Sequence, residues 1–382
     1  MSTRILPNLQ VGTVPGATFS GADPLAFHRR LPGYAPTACV ALPHLAERLG
    51  VGHIWVKNES SRLGLPSFKI LGASWATYCA LAARLGQSLE PWETLDDLRD
   101  RLSALLPLTL VAATDGNHGR AVARMAALLG LRSRILVPAG MASARLEAIA
   151  AEGAEIVMEP NGYDDAVRRS AAEEGEHTLV ISDTSWPGYE QVPSWVIEGY
   201  STIFREVDEQ LAALADSHLD LVMVQIGVGA LAAAAVLHYR RATRRPVPQL
   251  IGVEPAGAAC VLASIEAGRP ISIPYSHDSS MAGLNCGTPS PVAWPAVSTG
   301  VGLFLSIEDR WAEQAMRELA AAEVVAGETG AAGLAGLLAL FTGPDASARR
   351  SSLGLSATSS ILVICTEGAT DPENYRRIIA AE

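Results

Sequence analysis

The sequence predicts an α/β protein of two domains, with parallel-rich twisted sheets flanked by helices. Short apolar runs typical of strands alternate with helix-like runs over most of the 382 residues. This length corresponds to roughly two domains of about 150 residues each. Hydrophobic residues make up 49% of the chain, which is enough to bury a sizeable core.

The strand-like runs are short, rich in β-branched residues and apolar on both faces. In chain order they are HIWVK (53–57), LTLVAA (108–113), RILVP (134–138), AEIVME (154–159), HTLVIS (177–182), DLVMVQIG (220–227), QLIGVE (249–254) and SILVICT (360–366). Helix-like runs follow most of them, at about 70–85, 118–129, 143–152, 163–174, 193–214, 230–241 and 257–267. This alternation predicts parallel sheets covered on both faces, with ligands bound at the carboxyl ends of the strands.

Three segments interrupt the alternation. Residues 86–107 are predicted to form a polar, helical insertion, residues 268–304 a functional loop region, and residues 343–360 an exposed connection. The apolar stretch from Leu221 to Leu237 contains two glycines and many alanines. We therefore interpret it as a buried strand, a tight turn and a buried helix, and not as a membrane span.

Charge and composition exclude several classes of function. The formal net charge of −11 argues against nucleic acid and anionic membranes as partners. Five cysteines without a C-x-x-C pair indicate reduced thiols, and the first ten residues show no secretory signal, so a cytoplasmic protein is expected. The histidines and cysteines lack the spacing of metal ligands, so no metal site is predicted.

Lysine is scarce in this chain. The 29 basic residues are 27 arginines and two lysines, Lys57 and Lys69. A general drift from lysine to arginine accounts for the count. Because such a drift spares a lysine whose amine must lose its proton, both positions are candidates for chemistry.

The loop LGLPSFKILGAS (63–74) carries Lys69 at the start of an apolar helix. Partial desolvation near a helix N-terminus favours a neutral, nucleophilic amine. The structural alternative is a lysine that extends from a helix start into solvent.

The loop ATDGNHGRAVA (113–123) follows a predicted strand and opens a helix. Backbone N–H groups at such a helix start suit a substrate carboxylate, and Asn117 offers a neutral amide. The structural alternative is an ordinary Asp-Gly turn at Asp115 and Gly116.

The loop QIGVGALAAAA (225–235) also joins a strand to a helix. Its two glycines allow the backbone to wrap around one phosphate, whose charge meets amide N–H groups and the helix dipole. The loop lacks the lysine of a nucleotide P-loop and the third glycine of a dinucleotide site, where Ala232 stands.

Polar groups follow two further predicted strands. Asp183 follows the strand 177–182, and Thr366 ends the strand 360–366. A parallel sheet would bring such groups together at one edge. For Asp183, capping of the following loop is an equally good explanation.

Together these motifs resemble the fold-type II pyridoxal-phosphate enzymes, which include threonine dehydratase, cysteine synthase and the tryptophan synthase β chain. Within this family the chain is most similar to the diaminopropionate ammonia-lyases. The motifs that carry the resemblance span residues 34–375 and include PSFK, TDGNHG, SDTSWPGY, IGVGALAAA and CTEGATD. Asp115 and the SDTSWPGY segment are the selective features, because many dehydratases have Ser-Gly-Asn-His-Gly in the second loop. Ala230, where many relatives have glycine, and Cys365 are mild departures.

The resemblance implies a role for each motif. Lys69 would hold pyridoxal 5′-phosphate covalently as a Schiff base, beside Phe68, and Asn117 would bond the phenolic oxygen of its ring. Thr366 would face the pyridine nitrogen and leave it largely unprotonated, which favours α,β-elimination over transamination. The phosphate would be bound by residues of the glycine loop, namely Gly227, Val228, Gly229, Ala230 and Leu231. The substrate carboxylate would be bound by Thr114, Gly116, Asn117 and His118.

The resemblance also implies a two-domain organisation and a homodimer. Residues 1–78 and 190–382 would form a large cofactor-binding domain, and residues 79–189 a smaller domain that carries the TDGNHG loop.

The implied reaction converts 2,3-diaminopropionate to pyruvate and two molecules of ammonia. Asp115, Asp183 or the amine of Lys69 would remove the Cα proton and supply a proton to the leaving β-amine. A carboxylate about 4 Å from a β-ammonium gains about 4 kcal/mol at an effective dielectric constant of 20, which favours a diamine over serine. A serine or threonine dehydratase, a β-replacement synthase and a catalytically silent cofactor-binding protein are the alternatives.

Overall fold

The structure is a computed structural model that describes residues 3–14, 22–114, 116–214, 218–240, 246–274 and 278–381. Its strands, in chain order, are β1 (Arg4–Pro7), β2 (Cys39–Ala41), β3 (His53–Asn58), β4 (Thr109–Ala113), β5 (Arg132–Pro138), β6 (Glu155–Glu159), β7 (Thr178–Val180), β8 (Leu221–Gln225), β9 (Gln249–Pro255), β10 (Leu303–Ile307) and β11 (Ser360–Cys365).

Helices separate most of these strands. They are α1 (Pro24–His28), α2 (Pro43–Leu49), α3 (Lys69–Leu85), α4 (Leu95–Arg101), α5 (Asn117–Leu129), α6 (Ser143–Ala150), α7 (Tyr163–Ala171), α8 (Gln191–Ala212), α9 (Ala230–Tyr239), α10 (Cys260–Ala267), α11 (Trp294–Gly300), α12 (Asp309–Ala321), α13 (Glu328–Phe341), α14 (Ala346–Ser352) and α15 (Pro372–Ala380). Within the described ranges, no helix is both long and apolar enough to cross a membrane.

The chain forms two compact units. The first unit comprises Met1–Thr18, Pro36–Ser61 and Ile203–Glu382, and the second comprises Phe19–Ala35 and Arg62–Thr202. A boundary at 78/79 would divide α3, which lies whole in the second unit. The domain division drawn from the sequence stays a prediction.

The first unit contains a seven-stranded sheet in the order β1-β10-β9-β8-β11-β3-β2. The five inner strands are parallel, and the edge strands β1 and β2 pair antiparallel. Strands β8 and β11 are neighbours, so the loops that follow Gln225 and Cys365 leave the same edge of the sheet. These two loops carry the glycine motif and Thr366.

Helix α13 is buried along its whole length in the first unit. Its small residues allow this close packing: a Cβ at Gly336 would lie 2.5 Å from a methyl group of Val253, and one at Gly330 would collide with the carbonyl oxygen of Glu367. A helix that is apolar on every side has no amphipathic period, which explains why the sequence pattern does not predict it.

The second unit contains a four-stranded, all-parallel sheet in the order β6-β5-β4-β7. Strands β4 and β7 are neighbours, with Val111 opposite Val180. The TDGNHG loop follows β4 and the SDTSWPGY segment follows β7. Both loops therefore begin at the same edge of this sheet.

The predicted fold class is confirmed, because both sheets are parallel-rich and alternate with helices. Residues 221–237 form β8, a glycine turn and α9, as expected. Residues 343–360, expected to be an exposed connection, are mostly exposed and include the short helix α14. Strand β10 begins inside the region expected to be a loop, and its five residues are all buried.

Candidate active site

Lys69 is the first residue of α3, and its amine is paired with Asp183. Nζ of Lys69 lies 2.6 Å from Oδ2 of Asp183. The Lys69 side chain is 24% exposed and that of Asp183 is 11% exposed, so the pair is accessible from one side. An accessible amine beside a carboxylate can act as a nucleophile and can exchange a proton with its partner.

Asp183 is held in its ionised form. Burial acts to raise the pKa of this carboxyl, but the positive charges of His118 and Lys69 and the hydrogen bond from Lys69 outweigh burial. They lower the pKa of Asp183 to about 2. Asp183 is therefore a carboxylate that can accept a proton, and not a neutral acid, near pH 7.

The turn that carries Asp183 is fixed by Tyr189. The Tyr189 hydroxyl donates to the Val180 carbonyl at 2.6 Å and accepts from the N–H of Ser182 at 3.1 Å. The ring of Tyr189 stacks on Trp186 with the centroids 4.2 Å apart. These contacts close the SDTSWPGY segment onto the end of β7, which positions Asp183.

His118 contacts the same carboxylate from α5. Nε2 of His118 lies 2.8 Å from the carbonyl oxygen of Ile181, and Nδ1 lies 3.8 Å from Oδ2 of Asp183. The second unit thus brings together three residues singled out in the sequence: Lys69, His118 and Asp183.

The TDGNHG loop is organised around Thr114. The Thr114 hydroxyl oxygen accepts hydrogen bonds from the N–H groups of Gly116 at 2.9 Å and Gly119 at 3.0 Å. The N–H of Gly116 is therefore already paired. Asn117 is the first residue of α5 and His118 is the second, so both backbone N–H groups lie at the helix N-terminus. Asp115, the predicted acidic residue of this loop, lies outside the described residues.

Phe68 and Tyr200 form an aromatic wall beside Lys69. Their ring centroids are 4.6 Å apart, and Nζ of Lys69 lies 5.6 Å from the centre of the Phe68 ring. Burial raises the pKa of Tyr200 above its usual range, with Lys69 opposing the shift. Gly72 makes the approach of Tyr200 to α3 feasible, because a Cβ there would lie 2.5 Å from the Tyr200 ring.

The glycine loop of the first unit ends at the start of α9. Gly229 has a φ of 105°, a conformation that favours glycine, and no side chain caps the helix. A Cβ on Gly227 would lie 3.2 Å from Sγ of Cys286 and 3.3 Å from the carbonyl oxygen of Gly283. The first N–H groups of α9, in the loop from Gly227 to Leu231 that includes Val228 and Ala230, suit an anion.

Thr366 is buried at the end of β11 and is bonded to Gln225. Nε2 of Gln225 donates to Oγ1 of Thr366 at 2.9 Å and to the carbonyl oxygen of Ile364 at 3.0 Å. The Thr366 hydroxyl donates to the carbonyl oxygen of Thr329 at 3.4 Å. The group at this strand end is thus a neutral hydroxyl held by a neutral amide.

Gln225 is a site residue that the sequence analysis missed. It is the single polar residue of β8, whose residues are all buried. A buried amide at the carboxyl end of an apolar strand is a signal for a fixed polar contact. Among the described residues, no group of three His, Cys, Asp or Glu side chains could hold a metal ion.

Comparisons with known proteins give concordant matches. The family "Pyridoxal-phosphate dependent enzyme" matches residues 30–351. The diaminopropionate ammonia-lyase of Salmonella typhimurium is 35% identical over 374 residues, which cover 94% of this chain and 91% of the relative.

Two solved structures of Escherichia coli diaminopropionate ammonia lyase are also similar. One is in complex with an aminoacrylate-PLP azomethine reaction intermediate and matches with a TM-score of 0.89 and 32% identity, covering 99% of this chain and 97% of that chain. The other is in complex with D-serine and matches with a TM-score of 0.90, 32% identity and the same coverage.

Proposed function

Because the chain belongs to the family of pyridoxal-phosphate-dependent enzymes, we propose that it is a lyase that eliminates ammonia from 2,3-diaminopropionate. The products are pyruvate and two molecules of ammonia, the second of which is released by hydrolysis. The observation that carries the proposal is the pairing of Lys69 with Asp183 at 2.6 Å in a chain 35% identical to a diaminopropionate ammonia-lyase over 94% of its length.

The residues of the chain fit the cofactor. Lys69 supplies an accessible amine for the covalent bond, and the uncapped start of α9 with its two glycines supplies an anion site for the phosphate. Thr366, held by Gln225, supplies a neutral partner for the pyridine nitrogen. When bound, pyridoxal phosphate supplies the electron sink that stabilises negative charge at Cα of the substrate. Phe68 and Asn117 complete the proposed cofactor contacts.

The TDGNHG loop binds the substrate carboxylate in this proposal. The Thr114 oxygen accepts two N–H bonds, so it would interact with a carboxylate by donating its own proton. Asn117 and His118 lie at the start of α5, where the helix dipole favours an anion. The backbone of Gly116 shapes the turn.

Lys69 and Asp183 move the protons. At 2.6 Å they can exchange a proton directly, so one group takes the proton from Cα and the other delivers a proton to the leaving β-amine. Because its pKa is lowered to about 2, Asp183 enters the reaction ionised. Asp115 is the third candidate for this proton transfer on the family resemblance.

Substrate preference follows from charge. A β-ammonium about 4 Å from a carboxylate gains about 4 kcal/mol at an effective dielectric constant of 20, whereas the hydroxyl of serine gains nothing comparable. A fixed carboxylate at Asp183 therefore favours a diamine. We further propose a cytoplasmic location, in keeping with the five free cysteines, and a homodimer on the family resemblance.

A substrate panel on the purified protein tests the proposal. Pyruvate and ammonia are measured with D- and L-diaminopropionate, serine and threonine at equal concentrations. We expect the highest kcat/KM with diaminopropionate and two molecules of ammonia per pyruvate. A higher kcat/KM with serine or threonine would identify a dehydratase. Bound cofactor without turnover would identify a silent binding protein.

A further inference from the structure

His118 has a fixed tautomer. Its Nε2 lies 2.8 Å from the carbonyl oxygen of Ile181, and a carbonyl can only accept. Nε2 therefore carries a proton whether the ring is neutral or charged. Only Nδ1 can gain or lose a proton, and the tie to Ile181 fixes the direction in which Nδ1 points.

Nδ1 of His118 faces Asp183. The side chain is 2% exposed, and Nδ1 has no hydrogen-bond partner within the described ranges. The nearest charged atom is Oδ2 of Asp183, at 3.8 Å. A bare Nδ1 would direct its lone pair at a carboxylate, whereas a protonated Nδ1 is attracted to it. Nδ1 thus lies within ion-pair distance of Asp183, although beyond the distance of a hydrogen bond.

Among the described residues of the second unit, four titratable groups lie near Asp183. Lys69 on α3 and His118 on α5 favour its ionised form, and both lower its pKa. The hydroxyls of Tyr189 and Tyr200 are the other two, and burial keeps each of them neutral by raising its pKa. Lys69 and His118 are therefore the described side chains that favour a charged Asp183.

Lys69 and His118 differ in whether they remain available to Asp183 during turnover. In the proposed function, the nitrogen of Lys69 is used for the covalent bond to the cofactor, so its charge is not constant during turnover. His118 takes no part in that bond, and its Nε2 is held by the carbonyl oxygen that follows β7. His118 therefore remains beside Asp183 when the amine of Lys69 is in use.

We propose that His118 is a positioning residue that acts through Nδ1 to keep Asp183 ionised and oriented for proton transfer. This role deepens the proposed function and rests on it for the substrate. The interaction between His118 and Asp183 does not depend on the substrate and is measured in its absence.

The first test follows the protonation of Asp183 in full-length protein labelled with ¹³C at aspartate carboxyl carbons. The signal of Asp183 is assigned by its loss in Asp183→Asn. Lys69→Ala removes the amine beside Asp183. The double variant, Lys69→Ala with His118→Gln, also removes the imidazole of His118. Glutamine retains an amide that can donate to the Ile181 carbonyl, so it preserves the tie and removes only the titrating atom.

We expect Asp183 to gain its proton at higher pH in the double variant than in Lys69→Ala, by about 1 to 3 pH units. Equal midpoints in the two proteins would overturn the proposal, whatever the substrate of the enzyme is. If His118→Gln does not fold, His118→Asn takes its place in the same comparison.

The second test is the pH profile of kcat/KM in the cofactor-loaded protein. In His118→Gln we expect the acid limb to move to higher pH, because Asp183 then needs a higher pH to ionise. His238→Gln is the matched control, since Nε2 of His238 faces another carboxylate, Asp208, at 2.8 Å in the first unit. If kcat/KM of His118→Gln fell by the same factor at every pH, with the acid limb unmoved, His118 would have only a structural role and the proposal would be contradicted.

Discussion

The two lysines of this chain have nearly identical ion pairs but different surroundings. Nζ of Lys57 lies 2.7 Å from Glu206, and Nζ of Lys69 lies 2.6 Å from Asp183. Lys57 and Glu206 are fully buried, and the Lys57 amine also donates to the Thr37 carbonyl at 2.7 Å and to Gln210 at 3.1 Å. Its three N–H donors are therefore all used within the first unit.

Lys69 also pairs with a carboxylate, but its side chain is 24% exposed. The comparison teaches that the length of an ion pair does not reveal its role. A lysine with every donor used and no access stabilises the fold, whereas a lysine with an open side is available for chemistry. Variants of the two lysines should therefore separate stability from activity.

The largest effect is expected for Lys69→Ala. Loss of the amine removes covalent cofactor binding, so the yellow colour of the loaded protein should disappear and the elimination rate should fall by about 10⁴-fold or more. Absorption spectra and pyruvate release measure these two effects. A coloured, active Lys69→Ala protein would place the chemistry on another residue.

Lys57→Met should act on stability instead. The substitution removes the amine that pairs with the buried carboxylate of Glu206, which lowers the free energy of unfolding by about 3–5 kcal/mol. Urea unfolding followed by tryptophan fluorescence measures the change. The matched control, Lys57→Met with Glu206→Leu, should recover most of the loss. The folded fraction should keep its cofactor colour and its kcat. If it lost either, Lys57 would also be needed for the chemistry, which would contradict the assignment of Lys57 to stability alone.

Asp183→Asn should lower kcat/KM by about 10²- to 10⁴-fold, the range for removal of a general acid or base. Asparagine retains an oxygen that can accept from Lys69, so the cofactor colour should remain. Steady-state kinetics on diaminopropionate measure the effect. An unchanged kcat/KM would remove Asp183 from the reaction and leave Lys69 and Asp115 as candidates.

Asp183 should also make stability depend on pH. Its pKa in the folded protein, about 2, is lower than the ordinary value of about 3.9. The resulting stabilisation is complete above about pH 4 and is lost as the pH falls towards about 2. The melting temperatures of the wild type and of Asp183→Asn should therefore approach each other as the pH falls from about 4 to about 2. A constant difference in melting temperature would show that the charge of Asp183 is not responsible.

A smaller effect is expected for Gln225→Leu. The substitution removes the hydrogen bonds that Gln225 donates to Thr366 and to the Ile364 carbonyl. At about 1 kcal/mol for the bond to Thr366, which is the one that positions the cofactor contact, cofactor affinity should fall by about fivefold. Gln249→Leu is the matched control, because that exposed amide donates only to the Leu353 carbonyl among the described contacts. Cofactor titration measures the affinity of each variant for pyridoxal phosphate. Equal affinities for the two variants would show that Gln225 has no role in cofactor binding.

The sequence predicts the parallel strands well because their apolar, β-branched pattern is a local property. It misses β1 and β2, which have four and three residues and are stabilised by pairing with distant strands. It also misses α13, whose burial on all sides hides the helical period.

The same limit applies to the candidate site. The sequence pattern places Lys69 at the start of a helix and Asp183 just after a strand. The two residues are 114 positions apart in the sequence, so their contact appears only in the folded chain. The scarcity of lysine alone treats the two lysines alike, and the PSFK motif is what selects Lys69. The three-dimensional surroundings add that Lys57 is enclosed and Lys69 is open.

The scarcity of lysine makes the central claim directly measurable. The cofactor-loaded protein is reduced with borohydride, digested and mapped by mass spectrometry. We predict the phosphopyridoxyl mass on the peptide that contains Lys69, with the Lys57 peptide unmodified. A label on Lys57, or no label on either lysine, would contradict the account.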